Sequence, residues 1–74
     1  MILQNIPFGA NIQAFRMKAG LTQEQLAAQM QIHGSTMSRS TLARIETGSR
    51  NIKASDLVLI VRILKIDYQD IFES

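Results

Sequence analysis

The chain has no cysteine and no tryptophan, and only one proline and one histidine among its 74 residues. Without thiols it can form neither disulfides nor thiolate metal sites, and it has no cysteine nucleophile; the composition suits a reducing, cytoplasmic setting. His33 alone offers too few ligands for a typical zinc site. No serine has both a histidine and an acid in plausible sequence context, so nucleophilic catalysis is not expected and the chain does not read as an enzyme. The longest apolar run, Leu57 to Val61, is far too short to cross a bilayer. The Met1 end lacks a basic stretch followed by an apolar one, so no secretory signal is expected either. Nothing points to a cofactor or a small-molecule effector.

What is present is ample apolar material, 46% of residues against 19% charged. That is enough for a packed core, and at this length residues 1–74 are expected to form a single domain with a thin stability margin. The formal charge is only +2, but it is unevenly spread. Up to Lys53 six basic residues (Arg16, Lys18, Arg39, Arg44, Arg50, Lys53) face two acids (Glu24, Glu46), a balance of +4. From Ala54 onward Arg62 and Lys65 face Asp56, Asp67, Asp70 and Glu73, a balance of −2. The basic half points toward an anionic partner.

Alternating strand patterns are missing, and Pro7 stands where a first helical turn tolerates it, so the chain reads as all-α. Phe8, Ile12, Phe15 and Ala19 recur at helical spacing before Gly20, which marks the stop of a first helix. Three later points share one pattern: an apolar residue, a capping residue, and a second apolar residue five positions after the first. They are Leu21-Thr22 with Leu26, Met37-Ser38 with Leu42, and Ile66-Asp67 with Ile71. In each the middle residue can accept a hydrogen bond from the free amides of a new helix while the flanking pair closes as a hydrophobic staple. Thr22 adds Gln25 at the third helical position, an approximate capping box. These starts predict helices from about Gln23 to Gln31, from Arg39 to about Thr47, and after Asp67. A central helix occupies Ser55 to Leu64, nearly all apolar apart from Asp56 and Arg62, with its start at either Lys53 or Ser55. The acids Glu24, Asp56, Asp67, Asp70 and Glu73 read as cap or surface groups.

On a wheel of about 100° per residue, Leu42 and Ile45 share an inward face of the third helix. Opposite them lie Ser40, Ala43, Arg44 and Thr47, flanked by Arg39 and Thr41. This surface is small, hydroxylated and cationic, and fits a groove between phosphates: arginine can fork onto guanine, hydroxyls reach base edges, and Ala43 lets backbone approach a thymine methyl. Glu46 falls only about 70° from the core direction, a costly position for an unpaired carboxylate. Arg16, late in the first helix, is its natural bidentate partner.

The residues resemble the helix-turn-helix DNA-binding domain of Cro and phage repressors. The likeness runs over "AFRMKAGLTQEQLAAQM" and "SRSTLARIETGSRN", and more loosely over "LVLIVRILKIDYQDIF". Its specific elements are Arg16 four residues before Gly20, the Leu21-Thr22-Gln23 opening, Ala27, Leu42, Ile45, Glu46 and Gly48. The resemblance implies a compact five-helix domain with the motif at about residues 22–47 and helix three in the major groove of double-stranded DNA. It implies base-facing or phosphate-facing roles for Arg39, Ser40, Thr41, Ala43 and Arg44, and a structural ion pair between Arg16 and Glu46. It also implies backbone contacts from Gln23 and from the segment after Gly48, where Arg50, Asn51 and Lys53 are suited to phosphates; Ser38 and Thr47 are further candidates. A bacterial or phage repressor binding a pseudo-palindromic operator as a homodimer is the expected context. The competing expectation is a protein-interaction module, such as an antitoxin, on the same fold.

One departure stands out. Where the family passes from helix two to helix three through a glycine, an apolar residue and a cap, Gln31 replaces the glycine, Ile32 keeps the apolar place, and "HGSTM" precedes Ser38. The turn at about residues 32–37 is therefore long. Gly34 is expected to supply a positive φ there; Ser35 or Thr36 could cap helix three in place of Ser38, and His33 could touch phosphate. Tyr68, Ile71 and Phe72 could close the core or form a dimer contact.

Overall fold

A computed structural model describes residues 8–72; Pro7 and Glu73 fall outside the described residues. Five helices follow in order: α1 (Phe8–Lys18), α2 (Gln23–Ile32), α3 (Arg39–Glu46), α4 (Ala54–Leu64) and α5 (Tyr68–Phe72). The all-helical architecture expected from the periodicity is present, with boundaries shifted by one residue at the ends of α1, α2 and α3.

The capping grammar explains where the chain turns. Thr22 accepts the Gln25 amide at 3.0 Å while Gln25 Oε1 accepts the Thr22 amide at 2.8 Å, a complete capping box at the start of α2. Ser38 accepts the Thr41 amide at 3.1 Å and starts α3. At the head of α5 the bond runs from the Asp67 amide to Asp70 Oδ2 at 3.0 Å, the returning half of a capping box whose first residue is Asp67. The α4 start resolves to Lys53, whose side chain makes no capping bond. At the other end of α4, Lys65 takes the left-handed conformation (φ 57°), with its amide and that of Ile66 turned back on Arg62 and Val61 carbonyls.

The core gathers one stripe from each helix: Ile12 from α1, Leu26, Ala27 and Met30 from α2, Leu42 and Ile45 from α3, Ile60, Val61 and Leu64 from α4, Ile71 from α5, with Met37 from the long turn. Both members of each staple lie in this core or against it. α1 packs on α3 and α5, and α2 on α3 and α4. Although α4 is nearly all apolar it is not enclosed on all sides, since Leu57, Val58, Leu59 and Ile63 are only half-buried. Ile32 does not keep an apolar place either; it is 80% exposed, about 200° round the helix from buried Met30, and Met37 enters the core in its stead.

Gly9 is buried because α1 lies almost directly on the last turn of α3: a Cβ there would collide with the Ile45 carbonyl oxygen and press on that of Glu46. Glycine sets the approach of the two helices. Gly9→Ala gains about 1 kcal/mol of helix propensity but meets rigid backbone, and overpacking of that kind costs about 1–3 kcal/mol. The variant is expected to melt below the wild type in a thermal unfolding experiment.

Candidate nucleic-acid interface

Glu46 ends α3 with a carboxylate that is almost wholly enclosed. Arg16 from α1 forks onto it, Nε to Oε2 at 2.7 Å and Nη2 to Oε1 at 3.0 Å, while Nη1 donates to the Leu21 carbonyl at 2.7 Å. Gln23, in the first turn of α2, donates Nε2 to Oε1 at 3.0 Å. The ion pair expected from the wheel is therefore formed, and it reaches further than expected. The carboxylate at the tail of α3 holds the end of α1 and the head of α2, and Arg16 extends the network to the turn between them.

With that end fixed, the other face of α3 is open. Arg39, Ser40, Arg44 and Thr47 are exposed and Ala43 is half-buried, while Leu42 and Ile45 point into the core. Arg39 shares a shallow cleft of about 250 Å³ with Glu24 and Gln31 of α2. Thr41 is half-buried beside the cap, where Ser38 Oγ donates to its Oγ1 at 2.9 Å. The hydroxyl of Ser38 is thus engaged both as donor to Thr41 Oγ1 and as acceptor from the Thr41 amide.

At the C-terminal end, the Arg44 carbonyl gathers the Ser49 amide at 2.9 Å, the Thr47 hydroxyl at 3.1 Å and the Ser49 hydroxyl at 3.2 Å. The chain leaving α3 is pinned to the helix, and Arg50, Asn51 and Lys53 follow in exposed positions. The residues named from sequence therefore fall into two neighbouring sets, the open face of α3 and the segment after it. Gln23 stands at the head of α2 and is tied to the end of α3 through Glu46.

The long turn is ordered by contacts that the sequence did not signal. Gly34, at φ 93°, carries α2 out of its helix, and the Ser35 amide returns to the Met30 carbonyl at 3.1 Å. Ser35 Oγ then accepts the Met37 amide at 3.0 Å and donates to Asp56 Oδ1 at 2.8 Å. Gln31 Nε2 donates to the Met37 carbonyl at 2.6 Å. Ser35 is thereby committed to the turn, and Ser38 alone caps α3. Asp56 is correspondingly no surface group but a buried acid, 8% exposed, in the first turn of α4. Neither Ser35 nor Gly9 belongs to a recognisable pattern; each acquires its role from a segment remote in sequence.

An α2–turn–α3 unit with a cationic, hydroxylated second helix, braced by α1 and α4, defines a helix-turn-helix protein of the DNA-binding kind. A helix-turn-helix family model matches residues 12–71, and the chain belongs to that family, of the Cro and phage-repressor type. It is a family of DNA-binding regulators. No curated protein matches the chain, and no solved structure does. Among the described residues no helix is long and apolar enough to cross a membrane.

Three variants test the bracing. Arg16→Ala leaves an enclosed carboxylate without its counter-ion and is expected to cost about 3–5 kcal/mol, with a correspondingly lower Tm; Arg16→Met combined with Glu46→Leu should recover part of the loss. Ser35→Ala removes the hydroxyl that satisfies buried Asp56 and should cost about 1–3 kcal/mol in denaturant unfolding. Unchanged unfolding in either case would show that the contact carries no net stability.

Proposed function

We propose that this protein is a small transcriptional repressor that binds double-stranded DNA sequence-specifically, with α3 in the major groove, and works in a bacterial or phage-infected cytoplasm. The observation that carries the reading is the open face of α3, with Arg39, Ser40 and Arg44 exposed on a helix whose far end is held by Arg16 and Gln23 through Glu46. Arg39, Ser40, Thr41, Ala43 and Arg44 read base edges, and bidentate arginine contacts supply most of the discrimination. Arg50, Asn51 and Lys53 meet phosphates, which add affinity without sequence information. Gln23 keeps a second amide hydrogen for a phosphate while the first stays on Glu46. Ser38 and Thr47 flank the helix at phosphate level. Binding is equilibrium recognition with no chemistry, and residues 1–74 act as a single domain without a cofactor or an effector.

The protein pairs as a homodimer on a pseudo-palindromic operator. Tyr68 and Phe72 support this: they are 47% and 38% exposed on α5, while Ile71 between them is wholly buried. A protein-interaction module would carry such anchors on α3, where none lies.

Selection of bound sequences from a random duplex pool, followed by affinity measurements on the recovered site, tests the reading. Arg39→Ala and Arg44→Ala should each cost about 1–3 kcal/mol on the selected site and far less on random DNA, whereas Arg50→Ala should weaken both alike. Equal losses from all three on both kinds of DNA would remove the division between reading and anchoring, and a pool without enrichment would remove sequence-specific binding.

A further inference from the structure

The half of the chain after Lys53 carries a net negative charge, yet its two cations, Arg62 and Lys65, share a cleft that no acid lines. Arg62 stands on the flank of α4 that faces the end of α2, and there it lines a cleft of about 320 Å³ with His33, Gln29 and Lys65. His33 also lines the neighbouring cleft of about 310 Å³, which it shares with Thr36, Lys53, Ser55 and Asp56. Leu59 floors both clefts, so they form one shallow groove along α4 with the lengthened turn as its other wall. Around its rim run Lys53, His33, Arg62 and Lys65, all exposed.

The acids nearby do little to cancel this rim. Asp56 lines one of the two clefts but is 8% exposed, and one of its carboxylate oxygens accepts the Ser35 hydroxyl. Asp70 shares a separate cleft with Lys65 and Lys18, and exposed Asp67 follows Lys65 by two residues. The Ser35 bond has a second consequence: it holds the turn against α4 and thereby fixes His33 between Lys53 and Arg62.

We propose that this strip is a second DNA-contacting edge, which grips the sugar-phosphate backbone flanking the site that α3 reads. It rests on the DNA-binding reading above and extends it to residues outside the motif. Lys53 joins the strip to the segment after Gly48, so the new edge continues the phosphate-contacting surface. Thr36 and Ser55 add hydroxyl donors to the wall of the groove, and the His33 ring donates an N–H in any protonation state. From Lys53 to Lys65 the helix rise amounts to about 18 Å, equal to about five base-pair steps at 3.4 Å each. That length suits a run of backbone and exceeds any single anion. The apolar floor is limited to Leu59 and Ile63, which favours a polyanion over an amphipathic acidic peptide.

The test places the selected site in two duplexes, one just covering the site and one longer by a helical turn, about 10 base pairs, at each end. Affinity is measured between 50 and 200 mM salt for the full chain and for the double variant Arg62→Gln, Lys65→Asn; asparagine tolerates the left-handed backbone at position 65. The wild type is expected to bind the longer duplex more tightly and with a steeper salt slope. The double variant should lower that slope by about 1.8 for two phosphate contacts, so its affinity falls about tenfold less over the same salt range. It should match the wild type on the short duplex, and His33→Gln should likewise weaken binding to the long duplex alone. Equal behaviour of variant and wild type on the long duplex overturns the strip as a DNA edge, leaves the α3 reading intact, and turns attention to an acidic polypeptide. Failure of the wild type to bind either duplex overturns both, and unchanged thermal melting of the variants confirms that binding, not folding, is measured.

Discussion

The carboxylate of Glu46 is the constraint on which the rest of the arrangement depends. A buried charge of this kind is tolerable only when its lone pairs are met, and they are met by two guanidinium N–H groups and an amide from two other helices. The same three contacts determine where the end of α3 sits relative to α1 and to the head of α2. Recognition by a helix in a groove depends on that placement, because a small tilt changes which side chains reach the bases. An apolar contact could supply comparable stability, but it would not specify direction as a forked arginine does.

Gly9 and the Arg16 pair act together on the same helix end. The missing side chain at Gly9 lets α1 close on the carbonyls of Ile45 and Glu46, and the closeness brings the guanidinium within bidentate reach. On the far side, the Arg44 carbonyl holds the departing chain through Thr47 and Ser49. The last turn of α3 is therefore gripped from the front by side chains of α1 and α2 and from behind by its own continuation, while Arg44 and Thr47 on its outward face stay exposed.

The lengthened turn between α2 and α3 follows a related logic. It departs through Gly34, is gathered by Ser35, and delivers Met37 to the core position that Ile32 does not fill. Asp56 in α4 is the anchor, so α4 serves both as a core helix and as the support of the motif's turn. The extra residues leave Ser38 as the cap of α3 and add a wall to the groove along α4.

How much could be read in advance divides along physical lines. Helix starts at Thr22 and Ser38, the staples beside them, and the inward face of Leu42 and Ile45 follow from residue type and spacing, because caps and faces are local properties of the chain; the pairing of Arg16 with Glu46 spans 30 positions and is legible because a carboxylate near the core direction of its helix demands a guanidinium partner. The family pattern adds DNA as the partner. By contrast, Ser35 with Asp56, Gln23 with Glu46, the cost of any side chain at Gly9, and the convergence of His33 with Lys53, Arg62 and Lys65 join residues about 20 to 40 positions apart along the chain. A serine in a loop, an aspartate in a first helical turn and a glycine in a helix look alike in any sequence. Only the packing of α1 on α3 and of the turn on α4 decides which atoms they meet, and so which of them are structural necessities and which remain free to contact a partner.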